Sequence, residues 1–268
     1  MHQLLPIGRV FFALAFLGLG IEHFLFGTFV TGRAPEWPTG VPGQLLWVYV
    51  SGAIIIWTGI AILARRQARV AALLAGVMIL LWAVLRHLPV VAADSFLAPS
   101  WTALGKAVTL FGGAFAMAGT SPGWNRGRTT PLVTFLNRRG EFILLARICL
   151  GVFLMITGIQ HFMFTEFVAS LIPGWFPGNA TWWTWFAGVA LIAGGVGLLI
   201  GFIAPLAALL SGLMVFSWFW IVHLPRSLGG ISDRISVFEA LAVSGIALVI
   251  AGFLFQAKRV ERAAPVGP

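Results

Sequence analysis

Long unbroken apolar runs alternate with short polar, Gly- or Pro-bearing turns along the whole chain. The runs lie near 7–27, 44–64, 70–91, 101–119, 142–164, 182–203, 205–223 and 235–255. A helix needs about 20 apolar residues to cross the hydrocarbon core of a bilayer, so the pattern predicts eight transmembrane helices. The runs are continuous and rich in Leu, Ala, Phe and Gly, whereas the strands of a membrane barrel would alternate in polarity. The expected fold class is all-α, a polytopic membrane protein. The stretch Phe11-Phe12-Ala13-Leu14-Ala15-Phe16 resembles the apolar region of a signal peptide, but no small-residue cleavage site follows it.

That first run also recurs in mid-chain. Arg9 to Val30 aligns with Arg147 to Val168 at an offset of 138, matching Arg9/Arg147, Gly20/Gly158, Ile21/Ile159, His23/His161, Phe24/Phe162 and Phe29/Phe167. Pro35/Pro173 and Trp37/Trp175 continue the match. Two residues are then lost from the loop, after which Trp47/Trp183, Gly52/Gly188, Gly76/Gly212 and Trp82/Trp218 correspond. The series closes on His87-Leu88-Pro89 against His223-Leu224-Pro225. Such self-similarity predicts two pseudo-repeated four-helix bundles: a first unit over 1–120, a basic linker over 121–140, a second unit over 141–257 and a tail over 258–268.

Composition agrees with a membrane residence. Only 9% of the 268 residues are charged and 59% are hydrophobic, too few charges to solvate a water-exposed surface and too apolar for disorder. The net charge is +9, but the basic residues are few and scattered. They read as topology signals rather than as a nucleic-acid surface, so no nucleic-acid partner is expected. With the N-terminus, the 65–69 turn, the linker and the tail on one side, that side holds twelve Lys and Arg against Glu141 and Glu261. The opposite side holds Arg33, Arg86, Lys106, Arg226 and Arg234 against six acids. The positive-inside rule then places both termini in the cytoplasm. Four spans per unit make the copies parallel rather than inverted. Cys149, the single cysteine, lies in an apolar run and reads as a small hydrophobe.

Spans one and three of each unit run outward, which brings His23 to the depth of His87, and His161 to that of His223. Glu22 and Arg86 adjoin the first pair. Gln160 and Val222 take those places in the second, and Lys106 and Glu239 start the fourth span of each unit. Ionisable groups are costly in a bilayer and are functional candidates by default. The candidate ligand-binding or proton-exchange residues are therefore His23, His87, His161, His223, Glu22, Lys106, Gln160 and Glu239. A plainer reading competes: His87 and His223 precede Leu-Pro, where an imidazole can cap the end of a helix, and His23 and His161 can bond a neighbouring helix as structural glue.

Three ligand chemistries suit paired histidines. Two imidazoles at one depth can hold a b-type haem from opposite sides. Histidine with Glu22 or Glu239 can bind zinc or iron, but no tight ligand spacing such as H-x-x-x-H occurs, so no metal is expected. Imidazoles can also exchange protons with a quinone or another lipophilic ligand at the membrane surface, with Trp37, Trp47, Trp175, Trp182, Trp183 and Trp185 as aromatic walls. The same tryptophans fit an interfacial belt. The Pro- and Trp-rich loops 31–43 and 169–181 read as caps on the outer face. Arg9 and Arg147, 14 residues before their histidines, read as residues snorkelling to the inner interface. No phosphate-binding loop, nucleophile elbow, HExxH or CxxC is present.

The segments Gly158-Ile159-Gln160-His161-Phe162, Ile172-Pro173-Gly174-Trp175, Val222-His223-Leu224-Pro225 and Val237-Phe238-Glu239-Ala240-Leu241 resemble the DoxX-like family of bacterial membrane proteins. The resemblance implies a tandem of four-helix units. The second unit carries the pattern better; the first departs at Glu22, Arg33-Ala34-Pro35-Glu36 and Lys106. The family name comes from a subunit associated with quinol oxidase and thiosulfate:quinone oxidoreductase activity. The resemblance therefore implies an accessory component of membrane redox or quinone-linked metabolism, with the lipid bilayer and membrane redox subunits as partners. A small-solute permease and a structural scaffold are the alternatives. Thr157 is the one clearly polar side chain between Arg147 and Gln160, which disfavours a polar path through the bilayer.

Overall fold

The computed structural model of the chain describes residues 3–30, 34–122 and 138–263. Most of the expected linker, including Arg126 and Arg128, lies outside the described residues, as do Arg33 and 264–268. The described residues are helical and contain no strand. The first half supplies α1 (Leu4–Phe26), α2 (Gln44–Ala64), α3 (Ala68–Ala93) and α4 (Pro99–Thr120). The second supplies α5 (Arg139–Met163), a short α6 (Thr165–Ser170), α7 (Ala180–Ile200), α8 (Ala204–Arg226) and α9 (Ile231–Ala263). The expected spans sit within a few residues of these bounds. The largest difference is at the C-terminal end, where α9 continues through the position expected to open a tail and presents Lys258 to the carbonyl of Phe202.

Seven of the described helices are long and apolar enough to cross a membrane: α1, α2, α3, α5, α7, α8 and α9. The eighth expected span, α4, has 22 residues, about 33 Å at 1.5 Å per residue, but carries Ser100, Thr102, Lys106 and Thr109 and falls short of the others in hydropathy. Its place in the bundle explains this. α4 packs against α3, α5 and α9, with its buried residues running from Gly105 to Gly119, so protein rather than lipid surrounds much of it. α9 is enclosed to a similar degree, with 78% of its apolar window buried against 33% for α8.

The helices form a ring in chain order, and the ring closes across the two halves. α1 packs along α9, and α4 along α5. The two four-helix units thus share their walls, each first helix lying on the last helix of the other half. Glycine permits these approaches. A Cβ at Gly245 would stand 2.7 Å from both the Gly8 carbonyl oxygen and the Phe12 nitrogen, and one at Gly112 would stand 2.9 Å from Cβ of Cys149. Cys149 is buried at that crossing, in keeping with its reading as a small hydrophobe. At the opposite end of the bundle from the histidines, Arg9 Nε donates to Thr120 Oγ1 at 3.4 Å and Arg69 donates to the Ser121 carbonyl at 3.0 Å. Cations are favourable at the C-terminal end of a helix such as α4.

Candidate functional site

Three local features build the histidine end of each half. The first is a glycine crossing. A Cβ on Gly20 would lie 2.9 Å from the Gly52 carbonyl oxygen, and one on Gly158 would lie 2.9 Å from that of Gly188. Substituents at Gly52 and Gly188 would press on Cβ of His23 and His161, at 2.8 and 3.1 Å. The helix beside each histidine can come this close because it presents no side chain there.

The second feature is the bond each histidine makes. His23 Nδ1 lies 2.7 Å from the Leu19 carbonyl oxygen, and His161 Nδ1 lies 2.7 Å from that of Thr157. A carbonyl can only accept, so Nδ1 carries the proton and Nε2 is the acceptor nitrogen of the neutral ring. These bonds go to the turn below on the same helix.

The third is a π turn. Residues Ala83–His87 and Phe219–His223 form single π-helical turns, closed by Leu88 N–H to the Ala83 carbonyl and Leu224 N–H to the Phe219 carbonyl. A proline inside an α-helix clashes with the carbonyl four residues earlier, here that of Leu85 or Ile221. The wider turn accommodates Pro89 and Pro225. α3 and α8 therefore do not stop at His-Leu-Pro: they run on to Ala93 and Arg226. His87 and His223 each end a π turn inside the helix, His87 well before its end at Ala93 and His223 in the last turn before Arg226. Such turns recur at functional sites.

In the first half these features converge. His23 and His87, both buried, line one cavity of about 20 Å³ together with Phe29, Ser51 and Trp82. That is room for about one water-sized group, and a porphyrin does not fit between the two rings. Trp82 Nε1 donates to Ser51 Oγ at 3.1 Å. The loop after α1 closes the end: Phe29 stacks on Trp37 at 5.6 Å and meets Trp82 edge-on at 5.1 Å. Arg86, 7% exposed, lies over both cap rings, its Cζ 4.7 Å from the Phe29 centroid and 5.2 Å from that of Trp37. A desolvated cation–π contact of this kind contributes about 2 kcal/mol. The cap expected of this loop is thus observed at its described residues.

The second half is built more openly. His161 stacks on Trp218 at 6.1 Å, and both His161 and His223 are half-buried. Ala187 and Val222 stand where the first half has Ser51 and Arg86. The loop does not close: Phe167 is 65% exposed and Trp175 64% exposed, and α6 takes up part of it. The DoxX family model matches residues 142–224, from the first turn of α5 to just past the second π turn. The match lies wholly within the second half. No curated protein and no solved structure matches the chain.

The remaining candidates do not join the histidines; they tie the second half to the first. Gln160, beside His161, donates from Nε2 to the carbonyls of Leu97 and Ala98, both at 3.0 Å, and accepts from Thr102 Oγ1 at 2.5 Å. Glu22, beside His23, pairs with Arg234 at the start of α9 at 3.3 Å. Lys106 of α4 forms an ion pair with Glu239 of α9. Aligned on these two residues, α4 and α9 also match at Ala107/Ala240, Gly112/Gly245, Ala114/Ala247 and Gly119/Gly252, so corresponding positions of the two halves meet. One carboxylate oxygen of Glu22 and one of Glu239 are enclosed without a hydrogen-bond partner.

Among the described residues no group of three or more His, Cys, Asp or Glu is placed to hold a metal. Ser51 is a site residue that sequence reasoning did not single out, and Arg86, noted beside the first histidine pair, was not among the candidates. Their signal was a difference: each is the polar member of a matched pair whose other member is apolar. Trp47, Trp182, Trp183 and Trp185 are exposed on the protein's surface, as an interfacial belt requires, whereas Trp37 and Trp82 belong to the site.

Proposed function

We propose that this is an inner-membrane protein built as a tandem of two DoxX-like units, with both termini cytoplasmic. In this reading it serves membrane redox or quinone-linked metabolism as an accessory component. The polar head of a lipophilic ligand docks at the histidine end of the first half and exchanges a proton with His23 or His87. The observation that carries the reading is the pair of buried histidines on one cavity beneath an aromatic cap. With Nδ1 of His23 bonded to its own helix, Nε2 is the nitrogen suited to take a proton. The enclosed space holds one small group, so a quinone ring would take the place of the Phe29–Trp37 cap, exchanging one aromatic stack for another. The more open histidine site of the second half is the second candidate, and membrane redox subunits are the proposed partners.

The test is mass spectrometry of organic extracts from the detergent-purified protein. Wild type is compared with the His23→Ala, His87→Ala and the His161→Ala, His223→Ala double variants. A quinone at near-stoichiometric level, lost in the first variant and kept in the second, supports the reading. Bulk phospholipid alone in all three extracts overturns it. Flux of small solutes in liposomes, or stoichiometric co-purifying subunits without a ligand, would then favour a permease or a scaffold.

A further inference from the structure

Among the described residues, the first half holds a buried cation with no counter-charge against it. Arg86 is more than nine-tenths buried, and its Nε and Nη1 are enclosed without any hydrogen-bond partner. Among the described residues no carboxylate pairs with it. Glu22, the acid beside His23, is engaged by Arg234. Leaving charged donors unbonded in a site screened from water is unfavourable, and the faces of Phe29 and Trp37 answer the charge without offering an acceptor. A structural arginine at this depth would be expected to reach a carboxylate, a backbone carbonyl or the interface. Arg69 at the other end of the bundle does so, donating to the Ser121 carbonyl. The second half dispenses with the group altogether, having Val222 at the corresponding position.

We propose that Arg86 makes the histidine end of the first half an anion site, and that its ligand is an aromatic acid: a carboxylate or phenolate oxygen on a planar apolar body. The anionic oxygen accepts from the orphaned guanidinium nitrogens. The rings of Phe29, Trp37 and Trp82 pack against one another, so the ligand's ring enters by replacing the Phe29–Trp37 contact beneath Arg86. This deepens the reading above, on which it rests for the position of the site. It names the charge class of the ligand and assigns binding to one half of the chain, so one ligand is held per chain.

The test is isothermal titration calorimetry of the purified full-length protein in detergent, with benzoate and its neutral counterpart benzyl alcohol as probes. Expected are one benzoate per chain, at least tenfold weaker binding of benzyl alcohol, and loss of that preference in Arg86→Met. Equal affinity for the two probes in wild type overturns the proposal, and that comparison stands even where the variant does not fold. Two benzoates per chain, an Arg86→Met protein that still prefers benzoate, or displacement of benzoate by equimolar chloride would also overturn it. Extracts of the same preparations separate this result from the redox reading. Arg86-dependent benzoate binding without a co-purified quinone sinks the redox reading alone. A quinone without benzoate preference sinks the anion site alone.

Discussion

The ion pair between Lys106 and Glu239 joins the two halves at the middle of the ring, and its removal has a calculable signature. The Glu239 side chain is 3% exposed, Lys106 is 17% exposed, and the second Glu239 oxygen has no partner. Lys106→Met therefore leaves an uncompensated carboxylate in a low-dielectric interior, which costs about 3–5 kcal/mol. Glu239→Leu leaves an ammonium on a longer, more exposed stem that can reach toward the interface, so its cost is smaller, about 1–3 kcal/mol. The double variant removes both charges and replaces them with apolar volume, which is about neutral or stabilising. The coupling energy of the cycle is then about 4 kcal/mol or more, against about 0.3–0.5 kcal/mol for independent sites. Because the two positions correspond in the two halves, the exchange Lys106→Glu with Glu239→Lys keeps the pair and should stay within about 1 kcal/mol of wild type. The assay is thermal unfolding of the purified variants in one detergent. At about 2–4 °C per kcal/mol for a chain of this size, Lys106→Met should lower Tm by on the order of 10 °C and the double variant should recover it. A double variant as unstable as the sum of the singles would refute the argument.

Three further outcomes are expected. Gly245→Ala, which forces a methyl against the backbone of α1, should destabilise by about 1–3 kcal/mol; Gly140→Ala, with nothing within 4 Å, should leave Tm unchanged or raise it, and equal Tm values for the two variants would contradict the close α1–α9 crossing. Gln160→Leu strips the donor from two carbonyls and the acceptor from Thr102, a loss of about 1–3 kcal/mol that differential scanning fluorimetry would read as a lower Tm. In a Cys149→Ala background, Phe96→Cys should react with a membrane-impermeant maleimide on intact spheroplasts, and Arg138→Cys only after lysis; the reverse pattern would invert the topology.

Much of the site was legible in the sequence because it is written in repeated, chemically uncommon residues. His-Leu-Pro twice, and a histidine two residues after a Gly-Ile twice, marked the four candidate histidines, of which His23 and His87 line one cavity. What the same residues would bond was not legible. Glu22 and Gln160 adjoin histidines in the chain, but successive helix positions are rotated by about 100°. Each therefore turns away from its neighbour's partners and braces the other half. Lys106 and Glu239 were visible as matched positions on fourth spans, yet nothing in the chain says that fourth spans face each other.

Periodicity and composition by themselves determined the helical class, the span positions and the twofold recurrence, because about 20 consecutive apolar residues have few ways to satisfy their backbone outside a membrane helix. Residue types also marked the end of the bundle where the polar chemistry would gather. Packing alone decided the rest. It wrapped α1 on α9 and α4 on α5, so that the halves share walls; it widened one turn before each Leu-Pro to pass a proline; and it closed the aromatic cap over one histidine pair while leaving the other open. The sequence pattern favoured the second half as the better family match. The buried cation and the enclosed cavity lie in the first, because enclosure depends on which side chains meet across helices distant in the chain, and no local pattern encodes that.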